Sequence, residues 1–127
     1  MAYAIDTLVK AGGDDAHYRL LGAIQTLAES VGWTTLRFDT SIPERELILR
    51  STGTTGDEEI TVGFKAYQNL AADYYNLLAA TMVGYVPAAP FEAQPGIKTS
   101  GVPGHNQAVT YFLTANPRRI VGAFKVG

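Results

Sequence analysis

The feature that most constrains the fold is a change of hydrophobic period at Gly32-Trp33. Before it, His17, Leu20, Ile24, Leu27 and Val31 recur at three- and four-residue steps, and Leu21 and Ala28 widen the stripe. Arg19, Gln25, Glu29 and Ser30 take the opposite face. The pattern predicts one amphipathic helix over about 14–31. Asp14 or Asp15 is placed to cap its first turn, and Gly32 to end it in the left-handed conformation.

After Trp33 the period is two. Leu36 and Phe38 alternate with Arg37 and Asp39, and Pro43 interrupts. Residues 46–50 and 59–67 read as a hairpin across the turn-forming run Ser51-Thr-Gly-Thr-Thr-Gly-Asp57. Residues 72–85 carry apolar side chains on both faces, which suits a central strand. A helix also fits that composition, but the opening tyrosines and the closing Gly84-Tyr85-Val86-Pro87 favour the strand. Val109, Tyr111 and Leu113, then Ile120, Gly122, Phe124 and Val126, form a second hairpin around Asn116-Pro117. The chain ends in that strand, which is either a natural end paired in the sheet or a shortening of something longer.

The expected fold is therefore α+β: an antiparallel β-sheet or sandwich of about six strands with one amphipathic helix packed on it. The 127 residues suit a single structural domain, 1–127. Two segments resist assignment. Residues 1–13 are either a short helix or an N-terminal arm that orders on a neighbour. Residues 86–106 hold Pro87, Pro90, Pro95 and Pro103 with Gly96, Gly101 and Gly104, and show no period. Phe91, Ile97 and Val102 argue against plain disorder there. An extended loop lying on a neighbouring subunit is expected, the alternative being a loop packed on its own domain.

Composition narrows the function classes. A net charge of −2 argues against nucleic-acid binding. Cysteine is absent, which excludes disulfides, thiolate zinc sites and cysteine nucleophiles. The N-terminus has no signal-peptide pattern, and the apolar run 77–83 is too short to span a bilayer, so no membrane association is expected. Charged residues make up 17%, below the usual figure of about 25%. Either a partner covers part of the surface, or a polar Thr/Asn/Gln surface replaces charge.

No catalytic constellation stands out. His17 sits by the apolar stripe and reads as a helix-start or core-edge residue. His105 reads as a loop residue, and no Gly-x-Ser-x-Gly elbow supports either. Asp57-Glu58-Glu59 lacks calcium-loop spacing. Glu44, Glu46, Asp73 and Glu92 show no spacing that singles out a carboxylate pair. The expectation is no enzyme, with no catalytic, cofactor-binding or metal residues. Arg118-Arg119 at a hairpin tip suits an interface ion pair, for instance with Asp57-Glu58-Glu59 of a neighbour. The interface candidates are Phe91, Ile97, Val102, Arg118 and Arg119.

The runs Glu46-Leu-Ile-Leu-Arg50, Gly53-Thr-Thr-Gly-Asp-Glu-Glu-Ile-Thr-Val-Gly63, Asp73-Tyr-Tyr-Asn-Leu77, Gly84-Tyr-Val-Pro87, Phe91-Glu-Ala-Gln-Pro-Gly96 and Tyr111-Phe-Leu-Thr-Ala-Asn-Pro-Arg-Arg-Ile-Val121 carry a resemblance. Together they resemble a family of virion structural proteins from tailed, contractile-tailed bacteriophages, over about residues 46–127. Members of that family tend to continue past the position of Gly127. The resemblance implies a structural subunit of the particle, and analogy at the level of fold suits the neck or collar, the tail end or the baseplate. Its partners would be itself, as a ring-forming homo-oligomer, and other virion proteins. It would be assembled in the host cytoplasm and localised in the virion. The family supplies no catalytic residues. The alternative is a receptor- or glycan-binding module on the virion surface, with Tyr67, Tyr74, Tyr75, Tyr85 and Tyr111 as stacking platforms.

Overall fold

The computed structural model describes residues 2–12, 14–41, 44–69, 71–72 and 74–126. The expected Pro43 break and the carboxylate candidate Asp73 lie outside the described residues, as does Gly127. One helix, α1 (Ala16–Ser30), stands among eight strands: β1 (Ala2–Val9), β2 (Thr34–Asp39), β3 (Glu44–Ser51), β4 (Ile60–Asn69), β5 (Tyr74–Met82), β6 (Lys98–Pro103), β7 (Ala108–Asn116) and β8 (Arg119–Val126). They form two antiparallel sheets, ordered β1-β7-β8 and β2-β3-β4-β5-β6.

The α+β fold and the single helix are as the periodicity predicts. The strand count is eight rather than about six, because two unassigned segments are strands. Residues 2–9 form neither a helix nor an arm on a neighbour. They pair with β7 of the same chain, from Ala2↔Ala115 to Val9↔Ala108. Within 86–106, Lys98–Pro103 pairs with β5, from Thr81↔Lys98 to Asn76↔Pro103.

α1 lies against both sheets. Leu20, Leu21, Ile24, Leu27 and Ala28 join Leu47, Leu49, Ala66 and Leu77 from the large sheet with Val109, Leu113 and Ala115 from the small one. This apolar stripe on a helix meeting inward strand positions is the main driving force for the fold. Asp15 occupies the N-cap but makes no side-chain cap bond. Loop carbonyls do that work instead: Ala16 N–H donates to Asn106 O at 2.8 Å and His17 N–H to His105 O at 3.1 Å. These bonds satisfy first-turn donors that have no partner within the helix. At the other end Gly32 adopts φ 97°, the left-handed stop its position suggests. Two bonds tie the sheets together: Trp33 Nε1–H donates to Asn116 O at 2.8 Å, and Ser51 Oγ–H to Pro117 O.

The Pro/Gly segment covers the second face of the large sheet. Phe91, in a single 3-10 turn Phe91–Ala93, is fully buried with Ile48, Ala80 and Met82. The fully enclosed Gln94 side chain pins the excursion. It accepts from Val86 N–H at 2.8 Å and donates to Val86 O and Ala89 O, each at 2.9 Å. Arg37 donates to Pro87 O and Ala89 O from the sheet side.

Candidate assembly surfaces

The small sheet has one covered face and one open face. Strand alternation turns Ala2, Ala4 and Leu8 of β1 toward α1, and Tyr3, Ile5 and Val9 away from it. The register then builds rows across the open face. Ile5 lies opposite Phe112 and Phe112 opposite Ala123, while Tyr3 lies opposite Thr114 and Thr114 opposite Val121. A third row, Thr7–Thr110–Lys125, closes the patch with a hydroxyl contact of 2.8 Å between the two threonines. Tyr3 is 75% exposed, Ile5 61%, Phe112 48% and Val121 48%. Isolated exposed apolar residues are ordinary, but a contiguous set on a flat sheet marks a contact surface. Among the described residues no strand pairs with the outer edge of β1 or of β8. The small sheet therefore offers an apolar face bounded by two open strand edges.

The residues singled out from sequence fall elsewhere. Phe91 is core, and Ile97 packs half-buried beside it. Val102 packs half-buried against the main core from β6. Phe91 belongs to this chain's own interior and the other two pack half-exposed at its edge, because the 86–106 segment folds back on its own domain. Arg118 does meet the acidic run, but within one chain: its Nε–H donates to Glu58 Oε1 at 2.9 Å and Nη2 stands 2.7 Å from the same oxygen. Arg119 is exposed beside it. Residues of the open face were not singled out from sequence. The signal was present, since Tyr3, Ile5 and Phe112 alternate with inward residues, but only a paired β1 turns them into one surface.

The titratable groups are held in structural contacts. His17 is fully buried, and burial drives its pKa down from 6.5 to about 4. His105 Nδ1 accepts from the backbone N–H of Gln107 and Ala108 at 3.1 and 3.2 Å, a loop-closing role. Asp14, beside the helix start, receives two Arg45 N–H groups at 3.1 and 3.3 Å. That hydrogen bonding holds its carboxyl below the usual value. Glu46 pairs with Arg37 at 3.0 Å. Glu44 and Glu92 converge on the Nζ of Lys65, a buried cation clamped between two half-exposed carboxylates. Tyr67 and Tyr74 meet edge-to-face at 6.0 Å in the same cleft. Among the described residues no group of three or more His, Asp or Glu side chains could hold a metal ion. No helix among them is long and apolar enough to cross a membrane.

A scan against protein-family models found no match, and no curated protein matches the chain.

Proposed function

We propose that this chain is a non-catalytic structural subunit of a tailed-phage virion that assembles through the open face of its small sheet against a second copy. The carrying observation is the Tyr3/Ile5/Phe112/Val121 patch. A bare aromatic side chain offers about 150–250 Å²; with Tyr3 75% and Phe112 48% exposed, and Ile5 and Val121 beside them, the open apolar area is on the order of 400–500 Å². The threonine and lysine rim extends it toward the roughly 800 Å² per partner that a stable interface buries. The centre of the face carries no charge, so two copies can meet without stranding an unpaired ion, and a symmetric contact satisfies both at once. The sequence resemblance supplies the virion setting, with other virion proteins as further neighbours, and fold analogy suits the neck or collar, the tail end or the baseplate.

Two measurements test this. Light scattering after size exclusion should find wild type as a multimer and the double variant Ile5→Asp/Phe112→Asp as a folded monomer. A monomeric wild type at high concentration sinks the self-assembly reading. A cryo-EM map or mass spectrum of the intact particle lacking this chain sinks the virion reading.

The cleft of Tyr67, Tyr74, Glu44, Lys65 and Glu92 favours a second reading, a glycan-binding module. An aromatic ring flanked by carboxylates is a pairing suited to a sugar's apolar face and hydroxyls. Tyr111 is buried, Tyr75 packs on His17 and Tyr85 lies under the Arg37 guanidinium, whereas Tyr67 and Tyr74 line one cleft together. A glycan array that gives hits lost in Tyr74→Ala supports it, and an empty array removes it.

A further inference from the structure

The two sheets do not cover each other to their ends. Past α1, the inner face of β4, β5 and β6 is open, and a groove runs between it and the start of β8. Trp33, Val62, Phe64 and Ile120 make an apolar floor. Lys98, Arg118 and Arg119 stand along it, and no carboxylate lines it. Arg118 is neutralised by Glu58. Lys98 and Arg119 have no ion pair among the described residues and are exposed. In a chain of net charge −2, this is a local excess of unbalanced positive charge.

The groove also has a polar wall of a particular kind. Lys98, Thr99 and Ser100 border it in succession. Consecutive strand side chains point to opposite faces, so the β6 backbone itself forms part of the wall. β6 pairs with β5 along one edge, and among the described residues no strand covers the other. Its unpaired N–H and C=O groups are a template for one more strand.

We propose that this groove takes an extended acidic segment of a partner protein, added as a strand along β6. Its side chains on the groove side would be acidic and would meet Lys98 and Arg119, and its intervening apolar side chains would lie on the other face of the extended sheet. Strand addition draws affinity from main-chain hydrogen bonds and specificity from alternate side chains, and this groove offers both. Charge complementarity selects an acidic segment. Nucleic acid fits less well, because the unpaired cations are few and the chain's net charge is −2. The proposal does not rest on self-assembly: Ile120 faces the groove, whereas Val121 faces the opposite side of the small sheet.

The test is fluorescence anisotropy on the full chain with three labelled probes. One is a peptide of about eight residues alternating Glu with Val or Ile, a normal strand length. The second carries Lys in place of Glu, and the third is oligo-dT. The acidic peptide should bind and the lysine peptide should not. Charge reversal in Lys98→Glu/Arg119→Glu should weaken binding about ten-fold or more, with the fold of the variant confirmed by circular dichroism. N-methylation of alternate peptide bonds should abolish binding. The proposal is overturned if the acidic peptide fails to bind, if charge reversal or N-methylation leaves its affinity unchanged, or if oligo-dT binds more tightly.

Discussion

His17 shows how a single residue can carry a pH dependence without carrying a function. Its ring lies against Tyr18 at 4.1 Å and Tyr75 at 5.6 Å between centroids. Neither nitrogen has a hydrogen-bond partner among the described residues. Desolvation therefore outweighs the pull of the nearby Asp15 carboxylate, and the pKa falls from 6.5 to about 4. The folded protein holds this proton more weakly than the unfolded chain does. The stability tied to neutral His17 is complete above the unfolded value of 6.5 and is lost as pH falls toward 4. Asp14 and Asp39 act lower: both are held below 3.8, by Arg45 and by Ser41 respectively, so their contribution drains only below that value. His17→Phe keeps the ring and removes the titration. Between pH 7 and about 4.5, the urea midpoint of wild type should fall more than that of His17→Phe. Parallel falls would show that His17 titrates alike in both states, solvated in the fold as in the unfolded chain. The sequence placed His17 at the edge of the apolar stripe. Its enclosure required β5 and the loop at Gly104-His105, which only tertiary structure brings over it.

At the scale of elements, the segments legible in the sequence were those whose period matched one burying surface. α1 and the hairpins β3–β4 and β7–β8 each have one such surface, and they fall within a few residues of the predicted spans. β1 was not legible because Ala4, Ile5, Leu8 and Val9 fit a helical stripe as well as a strand with two apolar faces. β6, Lys98-Thr-Ser-Gly-Val-Pro103, has no alternation, and its strand character comes from β5 alongside it. The covering segment was illegible for another reason: Phe91 and Gln94 are buried by contacts with β4 and with the segment's own carbonyls, not by any local pattern. That cover can be tested at Gly63, where the Phe91 ring approaches the β4 backbone. A Cβ at Gly63 would stand 2.6 Å from Met82 Cε and 2.7 Å from Phe91 Cε2. Gly63→Ala should cost about 1–3 kcal/mol by overpacking. Phe91→Leu should leave a cavity in the native protein but relieve the ring's part of the clash in the double variant, where the flexible end of Met82 must still shift. A urea double-mutant cycle should give a coupling of about 0.5–3 kcal/mol. Strict additivity would mean that Phe91 does not lie on Gly63.

Across the whole molecule, one core joins α1 to both sheets, and the outward surfaces differ in their physics. The open face of β1-β7-β8 is apolar and uncharged at its centre, whereas the groove beside β6 carries exposed cations over an apolar floor. Contacts built on these two surfaces must respond oppositely to salt. Raising ionic strength from about 0.1 M to about 1 M shortens the Debye length from about 10 Å to about 3 Å, which weakens ion pairing. Apolar burial is not weakened by that change, and it fades on cooling because its driving force near room temperature is entropic. Self-association through Tyr3, Ile5, Phe112 and Val121 should therefore persist or tighten at high salt and loosen between 25 °C and near-freezing temperatures. Sedimentation equilibrium reads both responses on the same sample. A mass that falls with added salt and holds on cooling would move the copy-to-copy contact off the small sheet and onto charged groups such as Arg119, Lys125 and the 57–59 acidic run.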